Sequence, residues 1–255
     1  MQEKRILVGE GAAERKIAVL QRDGTSPGLF WLNGFKSDMR GSKAEALDAF
    51  GAETGLAVTR FDYSGHGVSG GDFLDGTISR WLEEALAVFA LTTGEQIVVG
   101  SSMGGWLAFL LNKALRERGE TRVKALVLIA PAVDMTEDLM RETFTPVELH
   151  QLHATGRVEK PSEYSDEPYV LTERLIVDGT RHLLMGKGSI VTGCPVAILQ
   201  GGKDVDVPVS QALKLLSHLT LDPVTFTLVP DGDHRLSREE DLKRLTETVR
   251  RFAEA

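Results

Sequence analysis

Two rhythms of apolar and polar residues alternate along this chain. Short, nearly continuous apolar runs recur at 28–32, 57–61, 97–99, 123–129 and 195–199, each bounded by glycine, proline or polar residues. Runs of that length and composition read as strands buried on both faces. Between them the spacing changes. Residues 77–91 place Ile78, Leu82, Leu86 and Phe89 on one helical face. Further helices are expected at 42–53, 106–111, 209–219 and 239–252. Two strands near 6–8 and 17–20, before a turn at Asp23-Gly24, and a last strand at 224–228 complete the pattern. Strands alternating with helices predict an α/β protein with a mostly parallel sheet covered on both faces. Residues 131–189 break the rhythm. They are polar, rich in helix-like pieces and punctuated by Pro146, Pro161 and Pro168. A plain connection is rarely so long. The stretch is therefore expected to be a helical cap inserted into a core of residues 1–130 and 190–255.

The segment that changes this picture most is Gly100-Ser101-Ser102-Met103-Gly104-Gly105, set between the run at 97–99 and the helix that begins near Trp106. A strand, a serine with glycines two residues to either side, and a helix form the context of a nucleophile elbow. The flanking glycines are needed because side chains there would strike neighbouring backbone. That requirement selects Ser102, flanked by Gly100 and Gly104. Centring on Ser101 would put Val99 and Met103 at the same places.

A serine hydroxyl needs a base, and the base needs an orienting acid. In serine-elbow enzymes of the α/β-hydrolase fold the acid and then the histidine follow the serine, each just after a strand. Residues 196–199 lead into Gln200-Gly201-Gly202-Lys203-Asp204, and 226–228 lead into Pro230-Asp231-Gly232-Asp233-His234. The candidates are thus Ser102, Asp204 and His234. Of six histidines, only His234 follows a strand late in the chain. His150 and His153 fall on an expected cap helix and His218 near a helix end. For the acid, Asp204 competes with Asp206, Asp222 and Asp134, of which Asp206 is the nearest rival. The oxyanion of a tetrahedral intermediate needs two backbone N–H donors. These are assigned to Met103, at a helix start, and to Phe35 in Asn33-Gly34-Phe35 after the strand at 28–32. The loop Asp62-Tyr63-Ser64-Gly65-His66-Gly67-Val68-Ser69 lacks the lysine and spacing of a phosphate-binding loop and reads as a structural turn.

Composition excludes several classes. A chain of 255 residues with a formal charge of −8 is an unexpected partner for nucleic acid or an anionic membrane. A single cysteine, Cys194, rules out an internal disulfide and reads as a small buried hydrophobe. No metal-ligand spacing and no dinucleotide fingerprint is visible, so no cofactor is expected. No leader or membrane span is read, and the expected compartment is the cytoplasm.

With these residues assembled, the chain resembles the α/β-hydrolase superfamily, with its mostly parallel eight-stranded sheet. More specifically, it resembles the abhydrolase-domain family of mitochondrial acyl-protein thioesterases and acyl-glucuronide esterases. The matching pieces are Phe61-Asp62-Tyr63-Ser64-Gly65, Ser101-Ser102-Met103-Gly104-Gly105-Trp106-Leu107, Pro161-Ser162-Glu163-Tyr164-Ser165, Cys194-Pro195, Gly201-Gly202-Lys203-Asp204 and Asp233-His234-Arg235. The resemblance implies a serine-hydrolase triad at Ser102, Asp204 and His234. Gln200 departs from the histidine often found before that glycine, a change expected to matter little. The expected reaction is hydrolysis of carboxylic esters or thioesters of a small-molecule or acylated substrate through an acyl-enzyme. Amide, lactone or peroxide chemistry on the same residues, or a binding protein that kept the fold, are the alternatives. Met135, Leu139, Met140, Phe144 and Leu149 are expected to wall an acyl pocket, while Arg157, Lys160, Arg174 and Arg181 are expected to face solvent.

Overall fold

The computed structural model describes residues 1–160 and 168–255. Eight strands form one sheet: β1 (Gln2–Val8), β2 (Arg15–Arg22), β3 (Thr25–Leu32), β4 (Leu56–Phe61), β5 (Gln96–Ser101), β6 (Val123–Ile129), β9 (Val196–Gly201) and β10 (Val224–Val229). Their order is β1-β2-β4-β3-β5-β6-β9-β10. Only β2 runs against its neighbours; every pair from β4 to β10 is parallel. The helices are α1 (Ser42–Thr54), α2 (Ile78–Phe89), α3 (Met103–Glu117), α6 (Val209–His218) and α7 (Glu239–Ala253).

The period of two in each strand sorts side chains onto two cores. Phe30, Leu32, Val98, Leu126, Leu128 and Ile198 pack against α2, α3 and α6. Leu29, Trp31, Ile97, Val99, Ala125, Val127 and Ile129 pack against α1 and α7. Both faces are covered, which is why the central strands read as unbroken apolar runs. The expected mostly parallel eight-stranded α/β sheet is the observed one. The edge strands extend further than their apolar residues suggested. β1 is mostly exposed, and its span is set by pairing with β2 from Gln2↔Gln21 to Val8↔Arg15.

Between β6 and β9 the chain passes through a π-helical turn (Thr136–Met140), α4 (Pro146–Thr155), β7 (Arg157–Lys160), β8 (Tyr169–Thr172) and α5 (Glu173–Gly179). The expectation of helical pieces alone needs correcting, because β7 and β8 form an antiparallel two-stranded sheet. Each has four residues, too few to show a strand period. Residues 161–165, which carry part of the family resemblance, lie outside the described residues.

Candidate active site

β5 ends at Ser101 and α3 begins at Met103, so Ser102 alone makes the turn. Its backbone sits at φ 53°, ψ −119°, a conformation that L-residues rarely adopt. The glycines explain how it persists. A Cβ on Gly100 would lie 2.3 Å from Gly104 O, and one on Gly104 would lie 2.1 Å from Leu32 O. A third glycine matters equally: a Cβ on Gly105 would lie 2.7 Å from the Pro131 side chain.

His234 follows β10, and its Nε2 is 3.1 Å from Ser102 Oγ. Its Nδ1 is 2.8 Å from Asp204 Oδ2. Asp204 follows β9, and its carboxylate is wholly buried. Oδ1 accepts the amides of Asp206 (3.0 Å) and Val207 (2.8 Å). The structure thus joins Ser102, His234 and Asp204 in one hydrogen-bonded row, with no rival carboxylate bonded to His234 in it. Asp206 is exposed at the cleft rim. Asp134, at φ 57°, spends its oxygens on Leu184 N and Met185 N at the far end of the β6–β9 connection. Burial raises the Asp134 pKa, with the two amides opposing that shift.

Two supporting residues were undervalued in the sequence. Gln200 is fully buried and donates from Nε2 to Asp204 Oδ2 (3.2 Å) and Val207 O (2.9 Å). The departure from histidine therefore touches the acid directly. Lys43, in the first turn of α1, donates to Arg235 O and, at 3.3 Å, to Ser237 Oγ, which clamps the loop just beyond His234. Desolvation lowers its pKa to about 8. The Lys43 contact has no local sequence signal, because its partners lie 192 and 194 residues along the chain, whereas Gln200 stands four residues before Asp204.

Gly34 brings the loop after β3 against the elbow; a Cβ there would lie 3.4 Å from Ser102 Cβ. Ser37 N donates to Gly34 O (3.2 Å), closing a turn over Phe35 and Lys36. Met103 N–H belongs to the first turn of α3, where helical amides have no partner within the helix. The two segments that carry the candidate oxyanion donors thus both adjoin Ser102. The Asp62–Ser69 loop braces its neighbours. The Asp62 carboxylate accepts Met39 N (2.7 Å) and Val68 N (2.9 Å) and holds two loops together.

A cleft of about 740 Å³ opens over Ser102 and His234. Met135, Leu139, Met140, Tyr169 and Leu171 line it from the β6–β9 connection. Phe144 and Leu149, expected on its wall, instead pack with Leu152, Val158 and Ile176 inside that connection. Lys160, expected in solvent, lines the cleft and pairs with Glu148 at 2.6 Å. Arg174 pairs with Asp75 at 2.5 Å, while the Arg181 side chain is exposed near Asp178. Asp204, Asp206 and His234 have ligand-type atoms within 4.8 Å of one another, the one such group among the described residues. Both Asp204 oxygens and both His234 nitrogens already have hydrogen-bond partners within the protein. Cys194 is buried, and desolvation raises its thiol to about 11.

A doubly covered parallel sheet with an elbow serine at its centre defines an enzyme of the α/β-hydrolase fold. The chain belongs to the serine aminopeptidase S33 family, whose pattern matches residues 33–241. It is 32% identical over 235 residues to the mitochondrial palmitoyl-protein thioesterase ABHD10 of Bos taurus, covering 91% of this chain and 75% of that protein. A solved structure from Agrobacterium vitis S4 shares 48% identity and superposes with a TM-score of 0.95 over 99% of this chain and 98% of that one. Mouse alpha/beta hydrolase domain-containing protein 10 shares 31% identity, with a TM-score of 0.83 over 97% of each chain.

Proposed function

We propose that this enzyme hydrolyses acyl esters or thioesters through an acyl-enzyme on Ser102. The observation that carries the reading is the row from Ser102 Oγ through His234 to the buried Asp204 carboxylate. His234 Nε2 takes the Ser102 proton as Oγ attacks the acyl carbon. Asp204 holds the ring so that Nδ1 keeps its proton and stabilises the imidazolium. The N–H groups of Met103 and Phe35 receive the oxyanion. The protonated His234 then delivers its proton to the leaving oxygen or sulfur, and the same ring activates the water that frees the acid.

Residues 131–189 act as a cap over the core of residues 1–130 and 190–255. The apolar wall of Met135, Leu139, Met140 and Leu171 suits an acyl chain, in line with the thioester named for the bovine relative. Amide hydrolysis is the second reading, favoured by the family's description as serine aminopeptidases. A fluorophosphonate probe should label the protein at Ser102 and leave Ser102→Ala unlabelled and at least about 10⁴-fold less active, still folded by circular dichroism. Labelling elsewhere, or residual activity above about one-tenth of wild type, would overturn the assignment. Acyl thioesters, p-nitrophenyl esters and aminoacyl amides, compared side by side, decide the leaving group.

A further inference from the structure

The loop carrying the Phe35 N–H is fastened by another loop, the one after β4. Asn33 Nδ2 donates to Phe61 O (2.5 Å), Met39 N to Asp62 Oδ1 (2.7 Å), and Lys36 N to His66 Nε2 (3.2 Å). The last of these lies closest to the chemistry. Phe35 and Lys36 are the central residues of the turn closed by Ser37 N and Gly34 O. Lys36 has φ 55°, in the left-handed region that this turn position gives readily only to glycine or asparagine. A lysine stays there only where its surroundings hold it. The bond to His66 fixes the peptide that joins Phe35 to Lys36, and with it the turn that presents the Phe35 N–H.

His66 is built for that task. It is buried, with its ring edge-on to Tyr63, Phe73 and Trp81. Its backbone is pinned on both sides, by His66 N to Tyr63 O (3.0 Å) and Ser69 N to His66 O (3.1 Å). Nδ1 lies 3.1 Å from Ser64 O. A carbonyl only accepts, so Nδ1 carries the proton and Nε2 presents a lone pair to Lys36 N–H. Burial lowers the His66 pKa to about 4, which keeps the ring neutral near pH 7. Packing alone would be met equally well by phenylalanine; the acceptor would not.

We infer that His66 is a positioning residue, whose Nε2 lone pair holds the Phe35–Lys36 turn in the left-handed form that aims the Phe35 N–H at the oxyanion. The inference rests on the acyl-enzyme reading, in which that amide is a donor. Losing a whole oxyanion donor costs on the order of 100- to 1000-fold in kcat, and a small displacement costs less.

His66→Phe keeps the ring and removes the acceptor. It should lower kcat on the order of ten- to a hundred-fold with KM changed less than about three-fold. His66→Gln, whose side-chain oxygen can take the Nε2 position, should recover most of the loss. A folded His66→Phe within about two-fold of wild-type kcat, or a Gln variant no better than Phe, would sink the inference. Should His66→Phe fail to fold, nitrogen-15 NMR of wild-type histidines decides: a proton on Nδ1 and a bare Nε2 supports the inference, and the opposite tautomer refutes it. Fluorophosphonate labelling of wild type separates the two ideas. No label at Ser102 defeats the acyl-enzyme reading, while the tautomer result stands apart from it.

Discussion

The serine elbow and the connection between β6 and β9 face each other across one cleft, yet different forces hold them. The elbow is held by close backbone approach. Gly104 lies where any Cβ would strike Leu32 O, and Trp106 and Leu107 behind it are fully buried. The connection buries Met135, Leu175 and Met185 in the core over α2 and α3 and adds polar contacts to the body. Asp178 on α5 accepts Ser79 N and Ser79 Oγ from α2, each at 2.8 Å. Ser79 Oγ also lies 2.6 Å from His182 Nε2. Asp138 takes Gln211 Nε2 at 2.9 Å and Lys214 Nζ at 2.6 Å from α6. Lys36 Nζ reaches Pro168 O at 3.2 Å and stands over the Tyr169 ring. A sterically locked half can keep a reacting oxygen in place. A half without such backbone contact, resting on side-chain packing and on hydrogen bonds each worth about 0.5–1.5 kcal/mol net, can be remodelled at lower cost.

The largest expected effect falls on the locked half. Asp204→Asn should reduce kcat/KM by roughly 10³- to 10⁴-fold, because an amide favours the wrong His234 tautomer. Asp206→Asn, two residues on and outside the row, should cost less than about ten-fold. Equal losses would mean that the acid has been misplaced. Gly104→Ala tests the steric lock itself. A methyl aimed at a backbone oxygen should cost about 3 kcal/mol or more and remove most activity, visible in thermal melts and ester assays. A variant as stable as wild type would show the elbow to be looser than its contacts imply.

Asp178→Ala probes the other half. Loss of both Ser79 bonds should cost about 1–3 kcal/mol locally, leaving the half-buried Ser79 N–H without its acceptor. Hydrogen exchange should quicken in residues 131–189 while β5 and β6 stay protected. Equal quickening in the sheet would erase the distinction between the halves. The smallest effect is one of preference. Met140→Ala or Met140→Trp should shift selectivity between neighbouring acyl lengths by about 1–3 kcal/mol and leave the shortest ester nearly unchanged. Phe144→Leu, behind the wall, should shift it less. Parallel length profiles would remove Met140 from the acyl wall.

The contrast also explains what could be read in advance. The sheet was legible because Ile97 and Val99 face one core and Val98 the other, so burial on both sides leaves an apolar run in the sequence. The elbow was legible because its constraint is local, with glycines two residues from the serine. The pairing of β7 and β8 was not, since a four-residue strand with one buried position resembles a helix turn as much as a strand. The cleft wall was half legible. Met135, Leu139 and Met140 point into it, but Phe144 was drawn away by Leu152 and Val158 within the insertion.

The sequence by itself determined the repeating strand–helix pattern, the serine on its turn, and the order in which an acid and a histidine follow strands. Each of these is written in residues within a few positions of one another. Only the tertiary structure decided that Asp204 rather than Asp134 meets His234, that Lys43 clamps the loop beyond His234, and that His66 grips the turn beyond Phe35. These partners lie in different elements, and Ser102 and His234 are 132 residues apart. Their meeting depends on how the sheet orders its strands and how its two cores pack, which no local spacing encodes.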